Sequence, residues 1–320
     1  MLLTCILLLI GLILLVYASD RIVYSAAIFS RALGISPFII GIVVAGLGTS
    51  LPELIISAGA VLEGQPALAL GTIIGSNITN LLLIAGLAAL IRPMSVQSAI
   101  LRRELPIMLA VMALFGLFLW SGGITRVQGG FLLLAGLASL WLVVKIASIA
   151  RRDQYDGFTT ERNHELPQEN SLPIALLWLV AGLLILPVSV RIVIDNAVAF
   201  TRYAGISGRI TGLTILAIGT SLPELCTTIA AAVKGEKDIA LGNLIGSTLF
   251  NITIVAGIPA LLAATPMTAD NFVSDFWVMI AASILFVLFS AGRKQRLNRL
   301  KGIILLGGFI AWLTSLFMGY

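Results

Sequence analysis

The chain has 320 residues, a mean hydropathy of +1.07 and 59% hydrophobic residues, and only 11% of its residues are charged. Soluble domains carry about 25% charged residues, so this composition excludes a soluble globular protein. The net charge of +5 does not indicate a nucleic-acid partner, because the basic residues flank apolar segments. We expect an all-α polytopic membrane protein whose partner is the lipid bilayer.

Ten apolar segments follow one another along the chain. Most are close to the roughly 20 residues that a helix needs to cross the hydrocarbon core of a bilayer, so we predict ten transmembrane helices. The predicted spans are 2–19, 38–62, 66–91, 104–120, 127–149, 172–190, 209–233, 238–263, 272–290 and 302–319.

The basic residues between these spans predict an orientation. With the N-terminus outside, the inward connections hold fifteen Lys and Arg residues and the outward connections hold three. Because basic residues accumulate on the cytoplasmic side, we expect both termini to lie outside.

The chain repeats itself at a distance of 171 residues. Residues 34–91 and 205–262 align without a gap and are identical at 25 of 58 positions. GTSLPEL occurs in both copies, at 48–54 and 219–225, and ALGTIIGSNITN in the first copy aligns with ALGNLIGSTLFN in the second. Each copy has five spans, an odd number, so the second copy is predicted to enter the membrane inverted.

This duplication defines the expected organisation. Residues 1–150 form the first inverted repeat, 151–171 a polar cytoplasmic linker, and 172–320 the second inverted repeat. Inverted repeats are typical of transporters, whose sites lie near the bilayer midplane on interrupted helices.

Only two of the fifteen acidic residues, Glu53 and Glu224, lie deep within apolar spans, at matched positions of the two copies. A charge at the bilayer centre costs at least about 2.5–3.5 kcal/mol. Two explanations are open: a protonated pair that hydrogen-bonds between helices, or carboxylates neutralised by mobile cations. Because no basic residue lies deep in the same spans, a buried salt bridge is not expected.

Each glutamate follows hydroxyl residues and a proline. The proline removes the N–H that would bond the carbonyl of Gly48 or Gly219, so the helix should open there and free backbone carbonyls. Such an opening is tolerated in lipid only where the backbone lines a cavity or is buried in protein. The residues concerned are Thr49, Ser50 and Pro52, and Thr220, Ser221 and Pro223.

The next span of each copy should carry a second break, at Gly75–Ser76 and at Gly246–Ser247. Serine and asparagine four residues apart, as in Ser76 with Asn80 and in Ser247 with Asn251, share one helix face. These oxygen ligands, without Cys or His, suit Ca²⁺, Na⁺ or Mg²⁺. A formal charge of −2 is cancelled by one Ca²⁺ or roughly by two or three monovalent ions, which favours exchange.

Two motifs, each present twice across ten spans, make the whole chain resemble the sodium/calcium exchanger branch of the cation/Ca²⁺ antiporter superfamily, and its short prokaryotic members in particular. The resemblance implies a secondary-active antiporter of the cell inner membrane, sufficient as a monomer and without a cofactor. It implies two inverted five-helix repeats around four central sites, one preferring Ca²⁺ and the others able to take Na⁺. Helices near 2–30 and 172–200 would slide across the core to alternate access.

The resemblance also implies the metal ligands. Glu53 and Glu224 would be shared central ligands, and Gly46 and Ala217 would offer backbone carbonyls. The remaining ligands implied by the motifs are Thr49, Ser50, Thr220, Ser221, Ser76, Ser247, Asn80 and Asn251.

Several alternatives stay open. H⁺/Ca²⁺ antiport and K⁺-dependent Na⁺/Ca²⁺ antiport on the same scaffold are rivals to Na⁺/Ca²⁺ exchange. Some relatives carry aspartate where this chain has Asn251, so proton handling and potassium co-transport stay open, although the lack of an extra acid in GSNITN and GSTLFN favours Na⁺ over H⁺. A Na⁺-coupled symporter of an organic solute would need a roomier cavity. No HExxH motif, intramembrane histidine or nucleophile–base pair is present, so an enzyme is not predicted.

Overall fold

The computed structural model describes residues 2–96, 100, 102–153, 172–203, 217–263, 267, 273–291 and 295–318. The described chain is mostly helical. In chain order the elements are α1 (Leu2–Leu33), α2 (Pro37–Ile40), a π-helical segment (Gly41–Gly46), α3 (Leu47–Thr49), α4 (Leu51–Leu62), α5 (Pro66–Ile78), a π-helical segment (Thr79–Ile84), α6 (Ala85–Ile91), β1 (Met94–Ser95), α7 (Glu104–Trp120), α8 (Arg126–Asp153), α9 (Leu172–Tyr203), α10 (Ala217–Thr220), α11 (Leu222–Lys234), α12 (Lys237–Phe250), a π-helical segment (Asn251–Val255), α13 (Ala256–Leu262), α14 (Val273–Ala291), β2 (Arg296–Leu297) and α15 (Arg299–Met318).

Eight helices in the described ranges are long and apolar enough to cross a membrane. They are Leu2–Leu33, Pro37–Leu62, Pro66–Ile91, Arg126–Lys145, Leu172–Asn196, Lys237–Leu262, Ser274–Ala291 and Arg299–Leu316. The predicted span 104–120 is a shorter apolar helix of 17 residues. The predicted span 209–233 is described only from 217 onward, and residues 154–171 of the predicted linker lie outside the described residues.

The spans divide into an inner and an outer group. In the most apolar 18-residue stretch of Pro66–Ile91 and of Lys237–Leu262, 83% is buried within the protein, compared with 22% for the corresponding stretch of Leu2–Leu33. The outer helices present leucine and isoleucine side chains on their exposed faces, as expected where lipid is the solvent. The spans that carry the repeated motifs therefore form the centre of the molecule.

The long helices α1 and α9 pack against each other along much of their length. Their contact has its own small apolar core, separate from the central one, built from Leu15, Ala18, Ile22, Leu186, Val190 and Ile194. The pair packs against the central helices at glycines, which have no side chain. A side chain at Gly48 would collide with Leu183, and one at Gly219 with Ile194.

The predicted interruption before each glutamate is confirmed. Ser50 separates α3 from α4 with φ −83° and ψ 3°, and Ser221 separates α10 from α11 with φ −87° and ψ 6°. The proline that follows each serine lacks the N–H needed to continue the helical hydrogen bonding.

The predicted second break is wrong. Helix α5 runs without interruption through Gly75–Ser76, and α12 runs through Gly246–Ser247. Each widens into a π-helical segment only at Thr79 and Asn251. Glycine and serine keep their backbone N–H groups, so the helical hydrogen bonding is not interrupted at these residues. The helix departs from α-helical geometry only in the wider π-helical turn that follows.

Short extended segments join the loops at the two ends of the bundle. Met94 pairs with Leu297, and the Val96 N–H donates to the Gln295 carbonyl at 2.7 Å. Elsewhere, Ile124 and Met267 exchange two backbone hydrogen bonds of 3.0 and 3.1 Å. Val96 and Met267 stand 171 residues apart, as do Ile124 and Gln295. The Val96–Gln295 pair and the Met267–Ile124 pair are therefore formed by equivalent residues of the two copies.

Candidate functional site

The two intramembrane carboxylates occupy equivalent places at the centre of the molecule. Glu53 lies in the first turn of α4 and Glu224 in the first turn of α11, and both side chains are fully buried. The N-terminal end of a helix carries a partial positive charge, which favours a carboxylate there. The two carboxyl groups are close enough to interact electrostatically.

Each carboxylate is approached by hydroxyls of the opposite half of the chain. The Ser50 hydroxyl lies 3.1 Å from Glu224 Oε1, with Thr49 also beside that carboxylate. Ser221 lies beside the Glu53 carboxylate, together with Ser76 of the same half. The hydroxyls at the helix interruption of each half thus lie beside the glutamate of the other half.

The serines of the second motif meet the hydroxyls of the first motif across the halves. Ser76 Oγ lies 3.4 Å from Thr220 Oγ1, and Ser247 Oγ lies 3.3 Å from Thr49 Oγ1. The carbonyl of Gly46 is a shared acceptor, 2.9 Å from Ser50 Oγ and 3.3 Å from Ser247 Oγ.

Gly46 also fits closely against the facing helix, because a Cβ there would stand 3.0 Å from the Ser247 nitrogen. Its predicted counterpart, Ala217, begins α10.

Asn80 and Asn251 are buried, and neither the oxygen nor the nitrogen of either side chain has a hydrogen-bond partner. The π-helical segment that begins at Asn251 packs against α4, and the segment that contains Asn80 packs against α11. Each asparagine therefore belongs to a segment that contacts the glutamate-bearing helix of the opposite half.

Unpartnered polar atoms are concentrated in this region. Both carboxylate oxygens of Glu53, Oε2 of Glu224 and the Ser221 hydroxyl join the two asparagines in having no partner. Buried polar groups are normally hydrogen-bonded, and an unsatisfied one costs about 1–3 kcal/mol. A protonated pair hydrogen-bonded between helices does not account for Glu53, because neither of its oxygens makes a hydrogen bond. The oxygen-rich donor set suits a hard cation.

Among the ion pairs in the described ranges, none involves either glutamate. The negative charge of the cluster is therefore not balanced there by lysine or arginine.

Two buried residues next to the cluster were not predicted. The Asn243 amide nitrogen donates to Thr228 Oγ1 at 2.8 Å, and Thr49 Oγ1 lies 3.3 Å from Asn243 Oδ1. A signal for Asn243 is present in the sequence, because Asn243, Ser247 and Asn251 follow at intervals of four and so share one helix face. Thr228 has a weaker signal, one turn beyond Glu224.

Known proteins resemble this chain along nearly its whole length. A family described as "Sodium/calcium exchanger protein" matches residues 3–145 and 174–318. The inner membrane protein YrbG of Escherichia coli (strain K12) is 50% identical over 319 residues, covering 99% of this chain and 98% of the relative. The sodium/calcium exchanger MaX1 of Methanosarcina acetivorans is 30% identical over 343 residues and 97% of both chains.

The solved structure of the sodium-calcium exchanger NCX_Mj, soaked with Na⁺ and Sr²⁺, superimposes with a TM-score of 0.84. It is 30% identical to this chain, and the match covers 98% of each chain.

Proposed function

The chain belongs to the sodium/calcium exchanger family of membrane antiporters, and from this premise we propose that it exchanges Na⁺ for Ca²⁺ by alternating access to the central site. One observation carries the proposal: unpartnered carboxylate oxygens of Glu53 and Glu224 lie buried among hydroxyl and amide groups supplied by both halves. The resemblance to relatives named as sodium/calcium exchangers supports the same assignment.

The proposed ligands are those predicted by the motifs. They are Glu53, Glu224, Thr49, Ser50, Thr220, Ser221, Ser76, Ser247, Asn80, Asn251 and the carbonyls of Gly46 and Ala217. One Ca²⁺ neutralises two carboxylates, and two or three Na⁺ do so approximately. Because the emptied site would keep two unpaired buried charges, each conformational change should be easiest when one load or the other is bound.

Sodium is the counter-ion that the donor set favours. Proton-coupled relatives tend to have an additional acid in the second motif, and this chain has Asn80 and Asn251 there, which favours sodium over protons. The alternatives of H⁺ or K⁺ coupling are distinguished by the experiment below.

For the architecture, we propose ten spans in two inverted repeats, 1–150 and 172–320, joined by a cytoplasmic linker at 151–171, with both termini outside. The recurrence of the loop pairing at residues 171 apart supports the duplication. An alkaline phosphatase fused to the C-terminus should be active, since that enzyme requires the outer side; an inactive fusion would reverse the orientation.

The decisive experiment is radiocalcium uptake into proteoliposomes loaded with Na⁺, with and without a pH gradient and with K⁺ present or absent. We expect uptake that requires internal Na⁺ and is unaffected by the pH gradient or by K⁺. Uptake driven by the pH gradient alone would move the chain to proton coupling, a requirement for K⁺ would indicate potassium co-transport, and no uptake at all would refute calcium transport.

A further inference from the structure

Asn243 is a fully buried amide on α12 whose two ends contact different halves of the proposed site. Its Nδ2 donates to Thr228 Oγ1 at 2.8 Å and to the backbone carbonyl of Glu224 at 3.3 Å. Its Oδ1 lies 3.3 Å from Thr49 Oγ1, which donates to it. An amide nitrogen has two hydrogens and the amide oxygen none, so these partners fix which way the amide points.

The fixed amide determines what the Thr49 hydroxyl can offer. That hydroxyl has one proton and three possible acceptors: Asn243 Oδ1 at 3.3 Å, Ser247 Oγ at 3.3 Å and the Gly46 carbonyl at 3.4 Å. When the proton goes to Asn243, the lone pairs of the Thr49 hydroxyl remain for a cation. When it goes to Gly46, Thr49 competes for that carbonyl with the Ser50 and Ser247 hydroxyls.

The equivalent position in the other half holds a different residue. The equivalent of Asn243 is Thr72, whose hydroxyl donates to the Leu68 carbonyl of its own helix at 2.9 Å. A threonine that bonds to the preceding turn does not reach across to another helix. The two halves of the proposed site therefore differ in the residue at this position and in its hydrogen bond.

We propose that Asn243 is a positioning residue that holds the Thr49 hydroxyl with its lone pairs toward the bound cation and ties that hydroxyl to the backbone of Glu224. The assignment rests on the proposed cation site. Asn243 acts through Thr49, so its loss should weaken ion binding more than it slows the conformational cycle.

The test replaces Asn243 by threonine, the residue that the other half uses, and separately by leucine, which keeps the volume and removes the polar groups. Na⁺-driven radiocalcium uptake into proteoliposomes is measured over a range of Ca²⁺ concentrations. We expect the half-saturating Ca²⁺ concentration to rise about five- to tenfold in both variants, the effect of losing one orienting hydrogen bond, with the maximal rate changed less than about twofold. Thr72→Val is the matched control and should stay within about twofold of the wild type.

A double-mutant cycle separates positioning from general damage. If Asn243 acts through Thr49, then Asn243→Thr should add little to the half-saturating concentration of Thr49→Val. The positioning role would be overturned if the increases in half-saturating concentration caused by Asn243→Thr and Thr49→Val multiplied in the double variant. It would also be overturned if Asn243→Thr left the half-saturating concentration unchanged. The wild type is measured first. If it takes up no Ca²⁺, the proposed function fails and this inference fails with it. If the wild type takes up Ca²⁺ and Asn243→Thr does so with the same half-saturating concentration, only this inference fails.

Discussion

Two carboxylates enclosed by apolar helices place a specific electrostatic demand on their surroundings. Glu53 and Glu224 lie at the N-terminal ends of α4 and α11, whose partial positive charge stabilises a carboxylate, and hydroxyls lie nearby. A helix terminus, however, contributes only about 0.3–1 kcal/mol, or up to about 2 kcal/mol in favourable buried geometry. The cost of a buried charge is several kcal/mol. The difference has to come from bound cations or bound protons, and the proposed exchange uses cations.

We expect Glu53→Gln and Glu224→Gln each to abolish calcium uptake, because each removes half of the negative charge of the proposed site. The loss of a buried charge partner corresponds to about 3–5 kcal/mol, which is at least about a hundredfold in affinity. Uptake into proteoliposomes measures the effect, and elution as a single species in size-exclusion chromatography checks that the variants are folded.

The matched control for both variants is Glu63→Gln, at the exposed end of the same helix as Glu53, which should transport normally. Retained calcium flux in both glutamine variants would remove the glutamates from the ligand set.

At the level of elements, the site depends on how closely two helices approach. Helix α12 lies against α2 and the π-helical segment Gly41–Gly46 with backbone facing backbone, and that contact brings Ser247 to the Gly46 carbonyl. A Cβ at Gly242 would stand 2.3 Å from the Phe38 carbonyl oxygen. Small residues at a helix interface permit this kind of approach in membranes.

We therefore expect Gly242→Ala to destabilise the protein by about 1–3 kcal/mol and to lower calcium uptake, because the added methyl group forces the two helices apart. Thermal unfolding in detergent and uptake in proteoliposomes measure the two effects. Gly59→Ala, in α4, is the control: its Cβ meets nothing within 4 Å, and alanine favours a helix by up to about 1 kcal/mol. Equal stability of the two variants would contradict the close-approach argument.

Across the whole molecule, the two halves are packed unequally. Helix α1 lies along α11, whereas α9 touches α4 at only a few places. The Lys234 ammonium at the end of α11 lies 2.6 Å from Asp20 Oδ1 and 3.0 Å from the Asp20 carbonyl, and Arg31 pairs with Glu236 at 3.5 Å. These ion pairs join α1 to the helices that carry Glu224 and Ser247.

In the described residues, the ion pair at the other end lies within a single helix. Arg191 pairs at 3.7 Å with Asp195 on its own helix, and both side chains are largely exposed. Glu63, which stands 171 residues before Lys234, is exposed. One end of the molecule thus has ion pairs that join α1 to α11 and to the start of α12, and in the proposed orientation that end is cytoplasmic.

We expect Lys234→Gln or Asp20→Asn to loosen α1 from α11, and the double variant to do no more than either alone. The pair is about one-third exposed, so its contribution is about 0.5–1 kcal/mol, a two- to fivefold change in population. Cys226 of α11 packs against the α1–α9 core, so its rate of reaction with a thiol reagent reports the movement, in a Cys5→Ser background.

The labelling rate of Cys226 should rise two- to fivefold in the single variants. Arg191→Gln, which breaks only the exposed pair within α9, should leave it unchanged. A rate unaltered by loss of Lys234 would show that the ion pair does not hold α1 in place.

The sequence by itself determined the membrane environment, most of the spans and the position of the two glutamates. Hydropathy and duplication are properties of the chain read in order, and proline acts on its own helix, so the openings at Ser50 and Ser221 were also predictable. The spacing of Asn243, Ser247 and Asn251 at intervals of four is likewise visible in the sequence, although the motifs predict only Ser247 and Asn251 as ligands.

Only the tertiary structure decided which groups meet. Ser50 serves Glu224 and Ser221 lies beside Glu53, because the halves interlock rather than stand side by side. The helices continue through Gly75 and Gly246 and widen one turn later, a choice that depends on the packing of neighbouring helices rather than on local propensity. The copies differ in sequence at the two ends, with Glu63 where the second copy has Lys234, but only the tertiary structure shows that Lys234 meets Asp20 of α1.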